Sequence, residues 1–220
     1  MFPLRDSTPS RSFPFINYLI ILINFLVFFI QLDAPDFERF VFEYGFVPVK
    51  YTPFDPSFYK YAFFSIWMHG GWFHIISNMW FLHIFGDNVE DRIGHFSYLL
   101  FYIFSGFAAV FLQYFVNMES VLPMIGASGA VSGVAGIYFV LFRDSRIKTL
   151  VMGFFGFVQI IELPVWFFLG YWFFIQVFSG LGSLVAYDMN QGGVAWFAHI
   201  GGFLWGYYVG RKMQVKMGLG

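Results

Sequence analysis

The chain has 220 residues, of which 59% are hydrophobic, 25% aromatic and only 11% charged, with a mean hydropathy of +0.67. Such values lie outside the range of water-soluble domains and place the chain in a lipid bilayer. The formal net charge of −1 leaves no clustered basic footprint for nucleic acid. With no cysteine, there is no disulfide framework, thiolate metal site or thiol nucleophile.

A bilayer-spanning helix takes about 20 mostly apolar residues. In chain order the candidates are roughly 13–31, 72–87, 96–117, 127–142, 163–186 and 194–210. The expected fold is therefore an all-α membrane protein, a bundle of six transmembrane helices. The first apolar run is too long for a signal-peptide core and is followed by no small-residue cleavage site, so it reads as a retained span. The flanks, 1–12 and 211–220, are too short to fold alone, and a single membrane domain over 1–220 accounts for the chain. Between the first two spans lies a long connection, about 32–71, with Pro35, Pro48, Pro53 and Pro56 among aromatic and charged residues. Its length points to a role, and its aromatic content to a compact loop that hugs the membrane.

The segment 147–161 is apolar but short, contains Gly153 and Gly156, and is followed by Glu162 and Pro164. Charge bias decides between a seventh span and a surface segment. With six spans and a cytoplasmic amino terminus, the inner pieces hold Arg5, Arg11, Arg92, Arg143, Arg146, Lys148, Arg211, Lys212 and Lys216. The outer pieces keep only Arg39, Lys50 and Lys60. That is the positive-inside distribution, so 147–161 is expected to dip into the cytoplasmic interface, with both termini cytoplasmic.

Polar side chains inside a bilayer are costly and mark function by default. Here they are His74, Ser77, Asn78 and His83 in the second span, Ser128 and Ser132 in the fourth and His199 in the sixth, beside a scatter of Gln and Asn. His74 and Asn78, four apart, share a helix face. Ser128 stands in Gly126-Ala127-Ser128-Gly129 where a polar loop enters an apolar helix. It has three readings: an N-cap, a packing contact or a nucleophile. Gly126, Gly129, Gly133 and Gly136 thin the fourth helix, while His199, Gly202, Gly206 and Gly210 fall on one face of the sixth. Small faces of this kind let membrane helices approach closely and bring Ser128 toward His199.

The six-span topology puts both residues at similar depth near the outer face; seven spans would separate them. A serine with a histidine in reach is the minimum arrangement for nucleophilic acyl transfer. No Asp or Glu stands near His199 in sequence, so a dyad is expected, leaving the imidazole in need of other support for its tautomer. There is no HExxH pair for zinc, and no cofactor is expected. Paired intramembrane aspartates are missing, since Asp87 and Asp188 sit at helix ends, and hydropathy shows no inverted repeat of the transporter kind.

From His69 to Gly206 the sequence resembles the rhomboid family. The resemblance rests on His69-Gly70-Gly71-Trp72-Phe73-His74 followed by Asn78, on Gly86, Glu90 and Gly94, on Gly126-Ala127-Ser128-Gly129, and on Ala198-His199-Ile200-Gly201-Gly202. It implies a water-admitting bundle and an intramembrane serine endopeptidase that hydrolyses bonds in or near the transmembrane segments of other membrane proteins. By the same resemblance Ser128 is the nucleophile and His199 the base, and the Ser128 N–H, His74 and Asn78 form the oxyanion hole. The fifth helix and the loop 187–193 would form a gate for the substrate helix.

Glu90 is expected to anchor structure, His69 to tie down its loop, and His83 and His95 to be interfacial. The sequence departs from many members at Ser132, where an aromatic or bulky residue commonly lies under the imidazole; here the serine either packs between helices or bonds His199. The Trp-Arg pair that some members carry in the first loop is absent. A non-catalytic relative that binds client helices is the main rival. The compact form leans toward a prokaryotic plasma membrane.

Overall fold

The first long helix turns its polar side chains inward. In the computed structural model, which describes residues 1–152, 157–185 and 194–218, helix α1 (Phe15–Asp33) buries Asn17, Ile20, Asn24, Phe28 and Gln31, three or four residues apart. Leu22, Leu26, Phe29 and Ile30 are exposed. In lipid an apolar surface costs nothing, whereas each amide must find a partner. Asn17 donates to the Leu82 carbonyl at 2.9 Å and accepts from the Tyr98 hydroxyl at 2.8 Å. Gln31 clamps the backbone of His69, accepting from its N–H at 2.9 Å and donating to its carbonyl at 3.1 Å.

The long connection folds as a packed unit. It holds α2 (Phe37–Tyr44), capped by Asp36, a 3-10 turn at Pro48–Lys50, and α3 (Pro56–Ser65), capped by Asp55 with proline in its first turn. Phe46, Phe58 and Tyr114 interlock at ring distances of 4.9 to 6.2 Å. Phe46 and Met124 exchange backbone hydrogen bonds of 3.1 and 2.7 Å, tying this loop to the segment that leads into Ser128. The compact loop expected from its aromatic content is thus present.

Helices α4 (Trp72–Ile93) and α5 (His95–Val116) meet at Gly94, which stands at φ 85°. Glu90 is fully buried there and accepts from the N–H groups of Ile16 and Asn17 at 2.9 and 2.7 Å, while His95 bonds the same carboxylate. Two of the orphan amides at the start of α1 are thereby satisfied, so Glu90 is a structural anchor, as expected. His95 belongs to that anchor, whereas His83 is exposed.

Helix α6 (Ser128–Leu141) is the axis of the bundle and is buried along almost its whole length. It packs backbone to backbone on α8 (Trp196–Lys216). A Cβ on Gly202 would collide with the Gly129 carbonyl, and one on Gly206 with the Gly133 carbonyl. Between them in sequence runs α7 (Val165–Val185). Trp166, Phe167, Phe174 and Phe178 on α7 are exposed, whereas Phe168 is buried and Trp172 and Phe173 pack on the core.

The segment between α6 and α7 is not a seventh helical span. Strands β2 (Arg146–Met152) and β3 (Val158–Pro164) pair antiparallel, and the amino-terminal strand β1 (Phe2–Asp6) adds to β2, giving the order β1-β2-β3. The short amino-terminal flank therefore folds onto this hairpin. Of the eight α-helices among the described residues, α1, α5 and α7 are long and apolar enough by length and composition to cross a membrane.

Candidate active site

Ser128 is the first residue of α6, and the turn before it requires glycine. Gly126 has φ 131°, a conformation that side chains disfavour, and its N–H is held by the Ser65 carbonyl at 2.9 Å. The cap position of α6 is taken by Ala127, with no side-chain cap bond. The N-cap reading of Ser128 therefore does not apply, and its hydroxyl has no protein hydrogen-bond partner among the described residues. Its backbone N–H is one of the first-turn amides that lack an intrahelical acceptor.

His74 lies in the first turn of α4. The Gly70 N–H, which can only donate, reaches its Nδ1 at 3.3 Å. The lone pair is thus on Nδ1 and the proton on Nε2. That Nε2 lies 2.8 Å from where a Cβ on Gly126 would stand, and Ser128 Oγ lies 3.5 Å from the same point. The missing side chain at 126 makes room for the imidazole beside the hydroxyl. One turn along the same face, Asn78 is 7% exposed and its buried Nδ2 has no partner. An unpartnered buried donor is uncommon and costly.

His199 enters in the first turn of α8. Gly129 and Ala198 face each other across the α6–α8 seam: a Cβ on Gly129 would lie 3.5 Å from the Ala198 carbonyl. Ser128 and His199 are the neighbours of this pair, and they share no hydrogen bond in this structure. The His199 Nδ1 meets Oε1 of Gln176 on α7 at 2.7 Å, and Trp172 packs against the imidazole with ring centroids 5.9 Å apart. Gln113 of α5 accepts from the Ala198 N–H at 3.1 Å, so three neighbouring helices fix the start of α8.

Ser132 does not reach His199. Its hydroxyl donates to the Ser128 carbonyl at 2.6 Å, a bond within its own helix. His69 is fully buried, held through its backbone by Gln31, and its ring stands edge-on to His74 at 5.1 Å. Gln176 is what the sequence reading passed over. The available signal was one amide in the aromatic run 166–178, where a polar group is expensive. The proposed gate loop 187–193 and Asp188 lie outside the described residues.

A recess of about 340 Å³, lined by Arg143, Asp144, Ser145, Arg146, Pro164 and Trp166, opens beyond the other end of α6. It lies at the end of α6 away from Ser128. Beside Ser128, among the described residues, lies a narrow cavity of about 10 Å³, bounded by Ser65, Met124, Ile125, Ala195 and Ala198 among others.

The chain is similar to known proteins over most of its length. A family profile described as the rhomboid domain matches residues 57–214. Among curated proteins of Arabidopsis thaliana, Rhomboid-like protein 11, chloroplastic, is 30% identical over 69% of this chain and 51% of its own length. RHOMBOID-like protein 6, mitochondrial, is 29% identical over 66% of this chain and 41% of its own. RHOMBOID-like protein 1 is 26% identical over 93% of this chain and 54% of its own. The chain thus spans about half the length of these relatives. Two of the names refer to organelles, so the leaning toward a prokaryotic plasma membrane finds no support among them. What stands is a membrane protein with several apolar helices.

Proposed function

The chain belongs to the rhomboid family, and from that membership we propose that it is an intramembrane serine endopeptidase acting on transmembrane segments of other membrane proteins. The observation that carries the reading is the free hydroxyl of Ser128 at the start of α6, next to the Nε2 face of His74 and across the glycine seam from the turn that bears His199.

Ser128 Oγ attacks the scissile carbonyl while His199 Nε2 takes its proton. The oxygen of the tetrahedral intermediate is received by the Ser128 N–H, the Nε2–H of His74 and Nδ2 of Asn78, three donors that no acceptor among the described residues occupies. Donors aimed at a developing charge in a site of low dielectric stabilise the transition state more than the ground state. His199 then protonates the leaving amine, and water, activated by the same imidazole, hydrolyses the acyl-enzyme.

The reading includes six spans, formed by α1, α4, α5, α6, α7 and α8, with both termini cytoplasmic; the basic residues of the inner pieces support it. A reporter fused at the carboxy terminus reads that side directly. Helix α7, whose outer face carries exposed aromatics, is the natural gate.

The decisive experiment is cleavage of a model membrane substrate by purified protein, with labelling of Ser128 by a serine-directed phosphonate. Ser128→Ala and His199→Ala should each abolish cleavage while folding survives. A Ser128→Ala protein that still cuts would end the assignment, and a folded wild type that neither labels nor cuts would favour client binding.

A further inference from the structure

We propose that Gln176 is the positioning residue of the base: its amide fixes the tautomer of His199, and because it stands on α7 it makes that tautomer depend on the docking of α7. The inference rests on the reading of His199 as the base.

Gln176 is 5% exposed in the middle of an aromatic helix. A primary amide there is costly unless both of its ends are used. Both are. Nε2 donates to the Trp172 carbonyl at 3.2 Å, and Oε1 meets His199 Nδ1 at 2.7 Å. The orientation of the amide follows from chemistry, because a carbonyl can only accept and the NH₂ must therefore face Trp172. That leaves Oε1, an acceptor, against the imidazole. Nδ1 must then carry the proton, and Nε2 keeps the lone pair a base needs.

A carboxylate in a catalytic triad orients its histidine in the same sense. A neutral amide does so without burying a charge in the bilayer. It also answers the absence of any acidic residue close to His199 in sequence and of an aromatic residue at Ser132. Trp172 and Gln176, one turn apart on α7, approach the imidazole together, by ring packing and by hydrogen bond.

The rest of the α7 inner face rests on the bundle through apolar groups, with Phe173 stacked on Phe203 at 4.4 Å. Apolar contacts of this kind slide and separate in lipid at little cost. The Gln176 bond is directional. An outward movement of α7 would release Nδ1, and the base would lose its fixed tautomer until α7 returned.

The test uses Gln176→Leu, close in size and compatible with a membrane helix, beside wild type, His199→Ala and Ser128→Ala. In detergent-solubilised protein labelled with ¹⁵N-histidine, the imidazole nitrogens of His199, assigned by their loss in His199→Ala, report which one is protonated. Wild type should show a protonated Nδ1 and an unprotonated Nε2, and Gln176→Leu should lose that preference. Its kcat should fall about tenfold to a hundredfold, the scale seen when a group that orients a metal-binding histidine is removed, with KM within about twofold.

Wild-type turnover in Gln176→Leu, with His199→Ala inactive, would overturn the inference and leave the function standing. Reduced turnover with the tautomer unchanged would also overturn it, assigning Gln176 to packing alone. Cleavage retained in His199→Ala would overturn the reading of the base itself, and the inference with it.

Discussion

The glycine seam between α6 and α8 sets the distance between Ser128 and His199, the proposed nucleophile and base, and Gly206→Ala tests it without touching either. A Cβ at 206 would lie 2.8 Å from the carbonyl carbon of Gly133 and 2.9 Å from the Ile137 nitrogen. Ordinary contacts between heavy atoms begin near 3.5 Å. Both obstacles are backbone, which cannot rotate aside, so the helices must separate by roughly 1 Å. Overpacking on this scale costs about 1–3 kcal/mol, partly offset by the roughly 1 kcal/mol that alanine gains over glycine inside a helix.

The larger effect should be on turnover. Gly206 is two turns below His199 on the same face, and an error of about 1 Å in a reacting geometry costs on the order of a hundredfold. Thermal unfolding in detergent and kcat on a membrane-embedded substrate measure the two effects separately. Gly182→Ala on α7, with no heavy atom of the described residues within 4 Å of the added methyl, is the control: it should turn over like wild type and melt no lower, gaining at most the helix preference of alanine. Gly210→Ala, whose methyl would meet the Val140 side chain at 2.9 Å, should fall between them. Wild-type melting and turnover in Gly206→Ala would refute backbone-to-backbone packing of α6 on α8.

Asn78→Ala should lower kcat about a hundredfold to a thousandfold, the cost of an oxyanion donor, with KM and Ser128 labelling unchanged; an effect mainly on KM would remove Asn78 from the site. Phe173→Ala, which deletes the ring stacked on Phe203, should raise cleavage of an embedded substrate if lateral opening limits turnover; a loss of activity without unfolding counts against α7 as gate. Asp6, on β1 outside the spans, has its carboxyl raised above the ordinary value of 3.8, because burial outweighs the hydrogen bond from Tyr138. The folded state therefore binds this proton more tightly than the unfolded chain. Stability should rise as pH falls from neutral through the folded value, with the full gain reached below about 3.8. Melting followed against pH should show a shallower slope in Asp6→Asn, and an unchanged slope would refute the assignment.

The helices were legible because hydropathy reports burial in lipid directly. Each of the six apolar runs holds one helix, of which α1, α5 and α7 are long and apolar enough to span, and the end of α4 at Glu90 and Gly94 read correctly because buried charge and positive-φ glycine are local demands. The hairpin at 146–164 was legible only as a segment that does not span. Ile147 and Thr149 are fully buried with residue 148 between them less so, a period of two, but an apolar run this short suits strand and helix alike. Its other partner, β1, stands over 140 residues away, and no local pattern announces such pairing. The site divided along the same line. The His74–Asn78 face follows from helix periodicity within one element, whereas the Gln176–His199 bond depends on how α7 rotates against α8.

Peptide hydrolysis inside a bilayer requires polar groups that are held yet not consumed, and the bundle separates these two conditions among its side chains. Asn17, Gln31 and Glu90 spend their hydrogen bonds on neighbouring backbone and so fix α1 against α4 and the loop before it. Gln113 spends its carbonyl oxygen on the Ala198 N–H, fixing the start of α8. Around Ser128 the pattern reverses. Among the described residues the hydroxyl is free, Asn78 Nδ2 is unpartnered, and His74 is oriented through Nδ1 so that its donor remains open. A donor left vacant in low dielectric lacks the full energy of a hydrogen bond, and the negative oxygen formed during acyl transfer supplies that bond more strongly than a ground-state carbonyl does. The cost of leaving these groups open in the resting bundle is thus returned at the step the proposed reaction must accelerate. On this argument, filling the vacancy from within the protein should stabilise the fold while suppressing turnover.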